Sequence, residues 1–194
     1  MGEIWKEFWK KIFIYSSLNN NMQTSVKFLE EINMKIKKFN GFDENGYLPY
    51  GTYNMTFKEF KSIFGENSAK RKEIIKEYEK FIIEIKNTGY FLNHWIDGSF
   101  VSKKEIPNDI DTLTEFNGEK VDADNANLRI DYLVYNSRLK TNGLLHSWRI
   151  YKYPQYDEEK YNAYLTVKLR ILTELFGTDK DNIPKGIVHL EAIS

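Results

Sequence analysis

Two aspartates, Asp109 and Asp111, stand one residue apart in Pro107-Asn108-Asp109-Ile110-Asp111. On an extended strand both carboxylates project from one face. Like charges this close raise the pKa of one partner unless a cation lies between them. Hard oxygen ligands of this kind suit Mg²⁺ or Mn²⁺. Upstream stands Asp97-Gly98-Ser99, where a strand ends and the chain turns. Glycine removes the steric bar to close backbone approach, so Gly98 and Ser99 can offer amides and a hydroxyl to a phosphate. Lys103, Lys104 and Lys185 are candidate cations for phosphate charge, although loop lysines are more often simply solvated.

A third acid, Asp131, lies in Leu128-Arg129-Ile130-Asp131-Tyr132-Leu133-Val134-Tyr135, whose alternation predicts a strand. A carboxylate among apolar residues is costly unless it is paired or bound to metal. Asp131 therefore completes a three-carboxylate metal site, or it pairs with Arg129 or Arg149. Asp122-Ala123-Asp124 and Asp179-Lys180-Asp181 are also spaced acids, but read as solvated loops. Arg149 and Lys152, within Trp148 to Tyr153, form a basic-aromatic patch that either stacks a base or belongs to the core.

Several elements must position these groups. Ile4, Trp5, Phe8, Trp9, Ile12 and Phe13 recur at helical spacing, and a second helix is expected from Thr24 to about Lys38. Together they predict an N-terminal helical hairpin, residues 1–39, ahead of a domain spanning 40–194. Asn40 to Asn54 is rich in turn residues. Thr56-Phe57-Lys58-Glu59 is a capping box opening a short helix that ends at Gly65. A longer helix is expected from Ser68 to Asn87, with Ile74, Ile75, Tyr78, Phe81, Ile82 and Ile85 inward and Gly89 as its left-handed stop. Strands are expected over Tyr90 to Asp97, Asp109 to Phe116 and Leu128 to Tyr135, with a turn from Asn117 to Asn127. Asp157 caps a helix to Phe176, and Ile187 to Leu190 is a last short strand. The order predicts an α+β fold, a small mixed β-sheet backed by helices.

Composition bounds the function. The 194 residues carry 28 Lys plus Arg against 28 Asp plus Glu, a balance that argues against coating nucleic acid through bulk charge. With no cysteine, disulfides, thiolate metal sites and a cysteine nucleophile are excluded. The three histidines lack ligand spacing, which disfavours a histidine-rich zinc site. No apolar run is long enough to cross a membrane and no signal-peptide core opens the chain, so a cytoplasmic location is expected. The Trp5/Phe8/Trp9 stripe is expected to pack on the domain or a second subunit rather than on a membrane.

The Gly98-Ser99 turn, the gap, Asp109-Ile110-Asp111 and the later Asp131 resemble the nucleotidyltransferase superfamily, with its polymerase-β-like fold. Leu48-Pro49-Tyr50-Gly51, the helix from Thr56 to Phe64, Asp97 to Val101, Pro107 to Asp111 and Pro184-Lys185-Gly186-Ile187-Val188 resemble, more narrowly, a bacterial member family of undefined function. The resemblance covers roughly residues 40 to 190. Two positions depart from the superfamily pattern: Asp97 stands where an apolar residue is usual, and so does Thr112. The resemblance implies transfer of a nucleoside monophosphate from an NTP to an acceptor, which is RNA, protein or a small molecule. It implies two Mg²⁺ (or Mn²⁺) ions bridged by Asp109 and Asp111, with Asp131 holding the ion that activates the acceptor. Gly98 and Ser99 would cradle phosphates, with Lys103 and Lys185 as further nucleotide-binding residues. Some superfamily members are toxins or phage-defence enzymes, so an antitoxin partner or a homo-oligomer is a further expectation. Two alternatives are a nucleotide-binding regulatory protein with a degenerate site and a metal-dependent nuclease.

Overall fold

The computed structural model describes residues 36–191. The chain divides after Lys35 into two compact units, and the predicted helical hairpin lies outside the described residues except at its end. There Ile36–Lys37 is a strand, β1, rather than the close of a helix.

The predicted α+β class holds. Strand β2 (Thr52–Met55) precedes α1 (Phe57–Phe60), which opens with both halves of the expected capping box: Thr56 Oγ1 accepts from the Glu59 amide, and the Glu59 carboxylate accepts from the Thr56 amide. The helix widens into a π-turn at Lys61–Gly65. Helix α2 (Ala69–Lys86) buries the expected stripe Ile74, Ile75, Tyr78, Phe81, Ile82 and Ile85, and Gly89 follows at φ +79°. Strands β3 (Phe91–Asp97) and β4 (Ile110–Asn117) come next, within a residue of expectation. Helix α6 (Glu158–Arg170), capped by Asp157, continues as a π-turn to Phe176, and β6 (Ile187–Leu190) is the expected last strand.

Between β4 and α6 the reading needs correction. Asn117 to Asn127 is not only a turn: Asn117 caps α3 (Gly118–Ala123) with its side chain. Leu128 to Tyr135 is not a strand but belongs to α4 (Asn127–Tyr135), followed by α5 (Ser137–Lys140). The strand here is β5 (Leu145–Lys152), the segment read as a basic-aromatic patch. Topology decides the matter. β4 and β5 are parallel neighbours, and a parallel pair needs a crossover connection, usually helical. Ile130 and Val134 suit both a period of two and an i,i+4 helical face, and they are the buried residues of α4.

The six strands form one mixed sheet in the order β1-β2-β6-β3-β4-β5. β3 is antiparallel to both its neighbours, β4 and β6, while β2–β6 and β4–β5 are parallel. On one face, Ile96, Val188, Leu190, Tyr53 and Met55 join the core that holds α2 and the rings of Phe60, Phe64 and Phe100. On the other face α6 is held by polar contacts. Glu115 accepts from Lys168 Nζ at 2.9 Å and from the Tyr164 hydroxyl, and Lys168 lies 4.5 Å from the Trp95 ring centre. Among the described residues no helix is long and apolar enough to cross a membrane.

His94 is fully buried on β3. Its Nδ1 lies 3.0 Å from Thr114 Oγ1, while Nε2 and the neighbouring Tyr78 hydroxyl have no hydrogen-bond partner among the described residues. Burial pushes its pKa down to about 3, so it stays neutral in the fold and protonates on unfolding. A folded pKa below the unfolded one contributes stability above pH 6.5 that is lost as pH falls towards 3. Between pH 7.5 and 5, urea denaturation is expected to lose about 2 kcal/mol through this group. His94→Gln should flatten that slope, and an unchanged slope would remove His94 as its cause.

Candidate functional site

The turn after β3 and the start of β4 meet. Asp97 and Asp111 are register partners across the antiparallel pair, so their side chains share the face of the sheet that α6 covers. Gly98 turns at φ +81°, and a Cβ there would stand 2.0 Å from Asp111 Oδ2. Only glycine lets the turn lie this close to the carboxylate. Ser99 opens a 3₁₀ turn to Val101. Asp109, half-buried, immediately precedes β4 and raises the Asp111 carboxyl electrostatically. Burial is the larger cause, and together they lift Asp111 to about 6.

The loop between the turn and the acids is fixed by a residue that the sequence reading did not single out. Arg71 of α2 is 2% exposed, and its guanidinium donates to the carbonyls of Phe64 (2.8 Å), Phe100 (2.6 Å), Ser102 (2.8 Å) and Lys104 (2.6 Å). Its charge lies 5.0 Å from the Phe100 ring centre. The helical period does mark its position, three and four residues before Ile74 and Ile75 on the buried face, but a charged residue there reads as the end of the apolar stripe.

Lys185 has a different place from the one expected. Its ammonium donates to both oxygens of Asp97 at 2.6 and 2.5 Å, and both residues are buried. In this arrangement the ammonium is committed to the carboxylate beneath the turn. The reason is Asp97 itself, since a buried carboxylate needs a counter-charge. Burial lifts the Asp97 carboxyl to about 7, with Lys185 pulling it back down. The pair also explains why the position before Gly98 is not apolar here. Thr112, the other departure, bonds Ser147 of β5 at 2.9 Å. Lys103 goes elsewhere too: its amide donates to the Gly46 carbonyl at 2.8 Å, its ammonium lies 6.0 Å from the Phe42 ring centre, and it does not figure among the charges bearing on Asp111. The two remaining family-like segments pack together, with the Gly186 amide on the Leu48 carbonyl and the Ile187 amide on that of Gly51.

Asp131 is not in this site. It lies on helix α4 and accepts from Arg149 Nε and, at 2.8 Å, from the Tyr151 hydroxyl. Arg149 and Tyr151 alternate along β5 with His146, the register partner of Asp111. Asp131 therefore lies against the opposite face of the sheet, and the alternative pairing with Arg149 is the one formed. His146 stands beside Asp111 instead, with Nδ1 3.5 Å from Asp111 Oδ1 and its ring 4.0 Å from that of Trp148. Burial, then the Arg138 charge, hold His146 below the usual histidine value, so it is neutral at neutral pH. Arg138, from α5, also favours the ionised form of Asp111. Both residues escaped the sequence reading because β5 was not recognised.

The donor set limits the metal chemistry. Among the described residues no cluster of three His, Cys, Asp or Glu could hold an ion. With Asp131 paired to Arg149, the acids at this corner are Asp97, Asp109 and Asp111, and Asp97 is taken by Lys185. Asp109 and Asp111 do fit a single Mg²⁺ arriving with a nucleotide, because Mg²⁺ is usually held by one or two carboxylates plus substrate phosphates.

The site predicts a thermodynamic cycle. Lys185→Met leaves Asp97 buried alone and Asp97→Asn leaves Lys185 alone. Each is expected to cost about 3–5 kcal/mol, while the double variant recovers most of the loss. Additive losses in urea denaturation would contradict a coupled pair.

The chain belongs to a family of unknown function (DUF6932), which it matches over residues 40–191. No curated protein and no solved structure matches it.

Proposed function

We propose that this family member transfers a nucleoside monophosphate from an NTP to a hydroxyl acceptor. The observation that carries the reading is the contact of Gly98 with Asp111: a turn able to receive phosphate oxygens lies against a carboxylate pair able to hold their cation. Asp109 and Asp111 would hold one Mg²⁺ (or Mn²⁺), which supplies charge neutralisation at the phosphates. Ser99 would receive phosphate oxygens through its amide and hydroxyl, while Gly98, whose own amide bonds the Asp97 carboxylate, supplies the close approach. Arg71 and the Asp97–Lys185 pair hold the turn still. The acceptor oxygen bonds to the α-phosphorus as the bond from that phosphorus to the bridging oxygen breaks, and pyrophosphate leaves with the electron pair. The hydroxyl proton passes to His146 Nε2, since its Nδ1 faces Asp111.

The pairing of Asp131 with Arg149, away from the acid pair, favours a second reading, a regulatory protein that binds nucleotide without turnover. A nuclease would use the acid pair but has no evident use for the Gly98 turn. Incubation with each α-labelled NTP, Mg²⁺ and total protein or RNA separates the three: label transfer, binding alone, or cleavage of RNA without transfer.

Substitutions sharpen the test. Asp111 has a higher pKa folded than unfolded, so its ionised form opposes folding and stability falls as pH rises through about 6. At pH 7.5 without metal, Asp111→Asn is expected to be more stable than wild type by of the order of 1–3 kcal/mol. Mg²⁺-NTP should raise the wild-type melting temperature, do little for Asp109→Asn or Asp111→Asn, and nothing for Gly98→Ala. Thermal melts that show no shift of the wild type with any of the four NTPs would end the nucleotidyl-transfer reading.

A further inference from the structure

The acid site opens at one side onto a groove of about 810 Å³ between α4–α5 and strand β5. His146 belongs to both. One wall is the run His146, Ser147, Trp148 and Arg149. Four consecutive residues of a strand can line one groove only if that groove lies along the strand's edge, because side chains alone would alternate between faces. β5 is the last strand of the sheet, paired to β4 only. Among the described residues the one hydrogen bond from its backbone to another segment is that of the Leu145 amide to Thr141 Oγ1, at the strand's very start. At a rise of about 3.3 Å per residue, roughly 13 Å of unpaired sheet edge borders the groove. An edge of this length that no element among the described residues pairs with is a template for another strand.

The facing wall is apolar. Leu128, Tyr132, Tyr135 and Leu139 recur at helical spacing along α4–α5, all line the groove, and are 64–84% exposed. Its charge is sparse. Arg149 is answered by Asp131, which leaves Arg138 as the lining cation with no ion-pair partner among the described residues. A single-stranded nucleic acid needs a basic track for its successive phosphates, and one free arginine does not make one. A polypeptide needs a backbone edge, apolar contacts for alternate side chains, and here one carboxylate for Arg138.

Resting on the nucleotidyl-transfer reading, we infer that the β5 edge and the apolar face of α4–α5 dock an extended, acidic polypeptide segment, one side-chain hydroxyl of which is the acceptor. The segment adds a strand beside β5. Its apolar side chains lie against Tyr132 and Tyr135, and an acidic residue pairs with Arg138. The segment then runs past His146, and a Ser, Thr or Tyr hydroxyl reaches the α-phosphate held at Asp109 and Asp111. The oxygen–phosphorus bond forms, pyrophosphate departs, and the proton goes to His146.

The test uses the full chain with Mg²⁺ and each of the four NTPs in turn. The probes are ten-residue peptides, each with one Ser, Thr or Tyr among Val, Ile, Asp and Glu, and an oligoadenylate RNA as the contrast. Hydrogen exchange read by mass spectrometry is expected to slow by at least about tenfold over residues 145–152 with peptide and not with RNA, and α-label is expected to pass to the peptide. Tyr135→Ala, an exposed change outside the acid site, should raise the peptide KM at least about tenfold and leave the Mg²⁺-NTP melting shift intact. The docking inference is overturned by label or protection that follows RNA instead, or by peptide labelling with unchanged exchange in β5. It is equally overturned by β5 protection that appears without peptide and grows with protein concentration, which would mark the edge as an interface between copies. Loss of the melting shift alone would fall on the nucleotidyl reading, while β5 protection by peptide would still decide the docking.

Discussion

A single guanidinium sets the distance between the turn and the acids. The chain from Phe100 to Lys104 runs from the Gly98 turn towards Asp109, and three of its carbonyls face inward onto Arg71. Without that fork the Phe100 and Ser102 carbonyls would be buried acceptors with no donor, at a cost of the order of 1–3 kcal/mol each. Lysine could not replace it, because its ammonium has three donors on a point while the planar guanidinium spreads five. The positive charge has no carboxylate partner among the described residues, so the carbonyl dipoles and the Phe100 ring alone offset its burial. α2 carries Arg71 to this place because Tyr78 packs into the Phe60, Phe64 and Phe100 cluster.

The Asp97–Lys185 pair does for the end of β3 what Arg71 does for the loop. It joins the last residue of β3 to the segment entering β6, where the Lys185 amide is also held by the Gly177 carbonyl at 2.9 Å. Gly186 is pressed between Tyr53, Pro49 and Leu48, so the same corner is closed sterically as well as electrostatically. The consequence for the acid pair is direct. Lys185 and Arg138 both favour ionised Asp111, whereas burial and Asp109 oppose it, and the opposition prevails. A cation placed between Asp109 and Asp111 would reverse that balance.

Much of this was legible in the sequence where local rules act. The Thr56–Glu59 capping box, the α2 stripe, the Asp157 cap and the Gly98 turn each depend on residues a few positions apart, and each formed as read. The strand assignment at Leu128 to Tyr135 failed because Ile130 and Val134 satisfy two periods at once, and only the parallel pairing of β4 with β5 chooses between them. β5 itself was hidden because His146, Ser147 and Arg149 interrupt its apolar character on both faces. Lys185 was visible as a special cation, but its partner lies 88 residues away, and no spacing rule reaches that far. Asp131 carried both readings from the start, and tertiary placement took the pairing with Arg149.

Register decides which side chains belong to the site. Asp97 faces Asp111 across an antiparallel ladder, and Asp111 faces His146 across a parallel one, so three residues from three strands share one face at one end of the sheet. A slip of one residue in either ladder would carry its member to the α2 face and exchange it for an apolar neighbour. The same parity places Arg149 and Tyr151 on the far face and draws Asp131 to them. The third acid is thus not missing from the chain. The ladder that brings His146 to Asp111 is the one that keeps Asp131 away, so an imidazole rather than a further carboxylate stands beside the acid pair.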